Sequence, residues 1–229
     1  MQPRTDVRRV GTLPPQPGDL TRAELRARLA RNDAVAEARG GRGPAGNSRL
    51  TATTAAVLLA LLAVEGITLI SLGPLLSAHV FVGMLLIPPI ALKLASTGYR
   101  FLRYYTGSRA YRLAGAPQLL LRLLGPAVIA ATLALFGSGV VMIALGPTDS
   151  WVVSLHKASF VVWLAVTAVH VLGHVLHLPG LSSADFRGPR ASRQGSSLRQ
   201  AAVVATLIAG LVLAVATVQY AAPWHALVG

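Results

Sequence analysis

Five apolar stretches constrain this chain more than any other feature. They run from about Leu50 to Gly73, Leu75 to Thr97, Gln118 to Leu145, Ser150 to Leu178 and Leu198 to Tyr220. A helix needs roughly 20 mostly apolar residues to cross about 30 Å of hydrocarbon. Lipid offers no water to satisfy backbone N–H and C=O groups, so apolar runs of this length fold as helices. The expected fold is an all-α membrane protein with five transmembrane helices, the third and fourth long enough to tilt or protrude. Composition points the same way. Apolar residues make up 53% and charged residues only 13%, against about 25% charged in a soluble domain. A soluble single-core protein, a wholly disordered chain and a nucleic-acid module are all excluded on this ground.

The formal net charge of +13 resembles a nucleic-acid signature until its placement is read. Ten arginines precede the first span. Arg100, Arg103, Arg109, Arg112 and Arg122 fall between the second span and the start of the third, and Arg187, Arg190, Arg193 and Arg199 between the fourth and fifth. Segments 74–77, 146–149 and 221–229 carry no Lys or Arg. Every arginine therefore lies on one side of a five-span chain, which the positive-inside rule makes cytoplasmic. The expected topology in the cell membrane puts the N-terminus inside and the C-terminus outside. Basic loops on that side can also touch anionic lipid. Residues 1–49 read as a cytoplasmic, largely disordered, Arg-rich tail, and residues 222–229 as an extracytoplasmic tail. Within the first tail, Thr21 and Glu24 predict a capped helix over about Thr21–Arg39. The first apolar run begins too far along and is too long for a cleaved secretory signal. There are no cysteines, which removes disulfides, iron–sulfur ligation, thiol nucleophiles and c-type haem attachment.

Histidines carry the functional information. His79 lies in the second span, His156, His170, His174 and His177 in the fourth, and His225 in the outer tail. Polar side chains inside a bilayer are costly and usually face a bundle interior. His156 and His170 are 14 residues apart, hence roughly 40° apart around a helix and about 21 Å apart along it. They share a face near opposite leaflets, a spacing that suits two stacked haems. Neutral imidazole is a strong iron ligand with no charge to bury. His79 and His156 lie at matching depth below the outer surface and form the candidate axial pair for an outer haem b. Gly83, one turn below His79, and Gly137 and Gly139 in the third span leave room for a macrocycle or for close helix packing. An inner haem lacks a fourth histidine. Lys93 stands 14 residues after His79, where it could ligate but more readily snorkels to the headgroups. His170, His174 and His177 also fall within roughly 60° of one another, a pattern that chelates zinc or copper. His225 reads as an exposed tail residue.

Glu65 and Lys157 are the acid and base expected in the outer leaflet, and an ion pair between them would reduce the cost of burying either. A proton route, or contact between Lys157 and a haem propionate, is the functional alternative. Pro88 and Pro89 should kink the second span. Tyr99, Tyr104, Tyr105, Tyr111, Trp151 and Trp224 read as interfacial belt residues. Arg100 and Arg103 read as lipid anchors, with haem propionates or quinone as alternative partners. No Gly-rich phosphate loop, catalytic triad or zinc-hydrolase motif is present.

Three segments, Ser77–Gly83, Leu135–Val140 and Leu155–Phe160 running on to His170–His174, resemble the membrane-embedded diheme cytochromes b. These are the four-helix anchor subunits of hydrogenases, formate dehydrogenases and related oxidoreductases. The resemblance covers about residues 75–178. It implies a four-span haem bundle with one accessory span and electron transfer through one or two b-type haems. It also implies His79, His156 and His170 as iron ligands, with His174 a further cofactor-binding candidate. The implied partners are quinone and a peripheral redox subunit, such as a molybdopterin oxidoreductase. Two other readings stay open: a cofactor-free membrane anchoring or assembly subunit, and a divalent-metal-binding protein or transporter using His170, His174 and His177.

Overall fold

The computed structural model describes residues 21–39, 43–113, 119–147, 151–175 and 196–228. Among them no strand occurs, and five helices are long and apolar enough to cross a membrane. These are Gly46–Ile70, Leu72–Tyr105, Leu124–Leu145, Trp151–Leu172 and Ser197–Trp224. The chain is a multi-pass membrane protein by that measure. It divides into an N-terminal unit ending at Ala36 and a second unit beginning at Glu37.

Helix α1 (Arg22–Arg39) begins as its capping residues predict. The Thr21 backbone N–H and hydroxyl both donate to Glu24 Oε2 at 2.9 Å, and the Glu24 N–H donates back to Thr21 Oγ1 at 3.3 Å. These bonds hold the exposed Glu24 carboxyl below its ordinary pKa, the backbone bond from Thr21 acting most strongly.

In the second unit, α2 (Pro44–Ile70) starts earlier than expected because Gly43 and Pro44 make a natural entry, with proline at a first-turn position. A single residue, Ser71, separates it from α3 (Leu72–Tyr105), so the two form a tight hairpin. Helix α3 runs past Thr97, the expected end, because nothing breaks it before Gly107, whose φ of 95° ends the run. It continues through Pro88 and Pro89, and Pro89 is buried. The short α4 (Arg109–Leu113) follows. Helices α5 (Leu119–Leu145) and α6 (Trp151–Val175) form a second hairpin, and α7 (Ser196–Thr217) returns alongside α3. A 3-10 segment (Val218–Trp224) and a final turn, α8 (His225–Val228), close the chain.

The spans divide three and two. Helix α3 packs along α2 on one side and α7 on the other, while α5 packs along α6 and touches α3 only lightly. The α3–α7 crossing is close: a Cβ on Gly210 would meet the Leu85 backbone carbonyl. Small residues permit such approaches where no hydrophobic force drives helices together. Leu58, Val82 and Leu86 form the buried core between α2 and α3, and Phe136 of α5 packs against it.

Two expectations about residue placement are corrected. Trp224, expected at the outer interface, is buried, and the 3-10 segment and α8 pack against α3. Tyr111, expected in an interfacial belt, is also buried, edge-on to Tyr99 with ring centres 6.0 Å apart.

Candidate functional site

His79 is set on α3 by the α2–α3 hairpin. Its Nδ1 lies 2.9 Å from Glu65 Oε1 and 3.1 Å from Thr68 Oγ1. Thr68 spends its own hydroxyl proton on the Glu65 backbone carbonyl, at 2.6 Å. Its oxygen can therefore only accept, so Nδ1 of His79 is the donor, shared between hydroxyl and carboxylate. The Nε2 atom is left with its lone pair when the ring is neutral.

His156 is set on α6 in a parallel way by α5. Its Nδ1 lies 3.1 Å from the Leu135 carbonyl and 3.0 Å from Ser138 Oγ. Ser138 donates to the same Leu135 carbonyl at 2.9 Å. A carbonyl only accepts, so Nδ1 carries the proton here too and Nε2 is again the lone-pair nitrogen. In both hairpins a hydroxyl residue bonds the carbonyl three residues before it and presents its oxygen to an imidazole on the next helix.

The two rings meet edge to face across the junction of the hairpins, with centres 6.5 Å apart and planes at 78°. A metal held about 2 Å from an imidazole nitrogen lies about 3 Å from that ring's centre, so two rings flanking one metal stand about 6 Å apart. The observed separation matches that requirement. Fixing Nδ1 by hydrogen bonds is also how proteins orient histidine ligands and set their tautomer. Gly139 lies under His156, where a Cβ would sit 3.2 Å from the ring's Cε1. A Cβ on Gly83 would sit 3.5 Å from Glu65 Oε1. Gly137, grouped with Gly139 from the sequence, has open space beside it.

The other candidates are distributed differently. His170 is half-buried on α6, 14 residues beyond His156. His174 lies in the last turn of α6, but its side chain is outside the described set, as is His177 altogether. Among the described residues no group of three His, Cys, Asp or Glu side chains could hold a metal ion. Lys93 is engaged within the helix pair. Its Nζ donates to the Thr51 carbonyl at 3.0 Å, because α2 lies within reach of its stem. The expected Glu65–Lys157 ion pair is absent: Glu65 turns to His79 at 2.9 Å, while Lys157 faces outward on α6 and is exposed. His225 is not an exposed tail residue either, since its Nε2 lies 2.9 Å from Ser77 Oγ.

Thr68, Leu135 and Ser138 were not singled out as individuals from the sequence. Thr and Ser in apolar helices commonly bond their own helix's carbonyls, so nothing in their spacing pointed to an imidazole on a neighbouring helix. Comparison with protein-family models, with curated proteins and with solved structures found no match to this chain.

Proposed function

We propose that this chain is an integral membrane electron-transfer subunit of the cytochrome b kind, holding a b-type haem between His79 and His156. One observation carries the reading. Two imidazoles from separate hairpins come together with centres 6.5 Å apart, each with Nδ1 engaged in a hydrogen bond. When bound, haem b supplies a one-electron iron couple whose potential follows axial ligation and burial. The chain's own residues hold and orient it. Thr68 and Glu65 fix the plane of His79, and Leu135 and Ser138 fix that of His156. A carboxylate bonded to the ring nitrogen opposite the metal would make His79 a stronger electron donor to it, which would favour the oxidised state.

In this reading the arginine-bearing ends are cytoplasmic, the chain sits in the cell membrane, and His79 and His156, which would hold the haem, lie toward the outer face. The haem would supply one-electron exchange with quinone or with a peripheral redox subunit of molybdopterin oxidoreductase type. One haem is better supported than two, because Lys93, where a fourth ligand would stand, is engaged with Thr51.

The test is the absorbance of the purified protein, made with haem supplied. Low-spin haem b bands in the reduced-minus-oxidised spectrum, with about one haem per chain by pyridine haemochrome, are the expected result. A folded, colourless protein would favour the cofactor-free anchor. Stoichiometric zinc or copper without iron would favour the metal-binding reading through His170, His174 and His177.

A further inference from the structure

The opposite end of the α2–α3 hairpin carries a second polar seam that electron transfer does not use. Lys93, Ser96, Arg100 and Arg103 follow one another at spacings of three, four and three, so they share one face of α3. The first turns of α2 supply the other side. Asn47 Nδ2 donates to the Ser96 carbonyl at 3.0 Å, and Thr51 Oγ1 donates to Ser96 Oγ at 3.1 Å.

The cations on this seam are poorly matched to their acceptors. The Lys93 ammonium, with three donors, has one acceptor, the Thr51 carbonyl at 3.0 Å. The Arg100 guanidinium, with five donors, reaches only Ser48 Oγ, at 3.4 Å. The Nε of Arg103 is buried with no hydrogen-bond partner, its guanidinium 6.0 Å from the Tyr99 ring centre. Among the described residues no carboxylate pairs with any of these three cations. Glu65 is the sole acid between residues 43 and 113, and it is engaged with His79. Phe101 and Leu102, on the other side of the same helical turn, present exposed apolar side chains.

We propose that this seam binds the headgroup of an anionic phospholipid. A phosphate diester accepts paired N–H bonds from arginine and supplies the missing negative charge. A lipid, unlike free phosphate, also carries acyl chains that can lie along the apolar span on which the seam sits. Basic pockets between membrane helices hold acidic headgroups by this chemistry.

The test heats purified full-length protein in neutral detergent with phosphatidylglycerol, phosphatidylcholine or inorganic phosphate added. Phosphatidylglycerol should raise the unfolding midpoint, since a ligand that binds only the folded state stabilises it, and the other two should not. In Arg100→Gln/Arg103→Gln the same rise should need roughly five-fold more lipid for each arginine removed. Arg109→Gln, an exposed arginine off the seam, should leave the response unchanged. An equal response to inorganic phosphate or to phosphatidylcholine overturns the proposal. So does a loss in Arg109→Gln as large as in the double variant, which would mean diffuse charge. If the double variant does not fold, native mass spectrometry of the unaltered protein decides. Phosphatidylglycerol retained over phosphatidylcholine supports the site, and equal retention rejects it.

Discussion

The α2–α3 hairpin holds His79 through a carboxylate and a hydroxyl, whereas the α5–α6 hairpin holds His156 through a backbone carbonyl and a hydroxyl. The surroundings differ as well. Helix α7, the 3-10 segment and α8 all pack against α3, while α5 and α6 pack chiefly on each other, with Trp163 Nε1 bonded to Thr132 Oγ1 at 3.1 Å. What the halves share, a hydroxyl bound to the carbonyl three residues earlier, is what orients an imidazole in lipid without adding charge. What they do not share, the Glu65 carboxylate, adjusts one ring electronically. The comparison separates positioning from tuning, and substitutions in each half should report on one or the other.

The largest effect should come from removing either ring. His79→Ala and His156→Ala should each abolish the low-spin haem b signature, since the second axial position would be lost on either side. Spectra of purified variants whose circular dichroism shows intact helices would check this. A low-spin spectrum surviving in either variant would break the equivalence of the two halves.

Glu65→Gln should come next, because it makes the first half neutral like the second. Losing the carboxylate partner of a ligating histidine typically costs about 10–100-fold in metal affinity. The reduction potential should rise by about 40 mV if the carboxylate favours the oxidised iron by about 1 kcal/mol, since a tenfold change is about 59 mV for one electron. Ser138→Ala is the matched control. His156 keeps its bond to the Leu135 carbonyl there, so the potential should move far less. A spectroelectrochemical titration in which both variants shift alike would show that the carboxylate has no special part.

Much of this arrangement is legible in the sequence, and the illegible part has a clear cause. Apolar length marked all five spans, and the Thr21–Glu24 spacing marked the start of α1. Equal depth brought His79 and His156 together on paper, and their rings do meet. Depth alone could not say which face of a helix turns toward which neighbour. Glu65 and Lys157 matched in depth as well, yet Glu65 turns to α3 while Lys157 faces outward. The packing of the chain's last turns on α3 was hidden because no hydropathy pattern separates a short helical turn on α3 from an exposed tail. The hydroxyl anchors were hidden because Thr and Ser in a membrane helix usually bond their own backbone.

A smaller and more local contrast lies in the glycines. Gly139→Ala puts a methyl 3.2 Å from Cε1 of His156, so the ring or the helix must yield by a few tenths of an ångström. Overpacking of this kind costs about 1 kcal/mol or somewhat more, and here it should also broaden or shift the haem bands. Gly83→Ala puts its methyl 3.5 Å from Glu65 Oε1, an ordinary contact, and should leave both spectrum and stability nearly unchanged. Equal tolerance of the two would mean that the α5–α6 half adjusts freely around its imidazole.

The smallest effect is expected where the extra layer of the first half meets α3. His225→Ala removes the bond to Ser77 Oγ and should lower stability by about 0.5–1.5 kcal/mol, the usual worth of one hydrogen bond. Ser77 lies two residues before His79, so the same change tests whether the C-terminal layer helps hold that imidazole in place. If it only buttresses α3, the thermal midpoint falls and the haem spectrum and potential stay as they were. If it steadies His79, the potential moves with the midpoint, and Ser77→Ala reproduces both shifts. The α5–α6 half supplies the reference. Thr132→Val breaks the Trp163 bond between α5 and α6 at similar cost, without touching either imidazole. A potential that moves in His225→Ala but not in Thr132→Val would show that the clamped half depends on its outer layer, while the other half holds its ring by the α5–α6 contact alone.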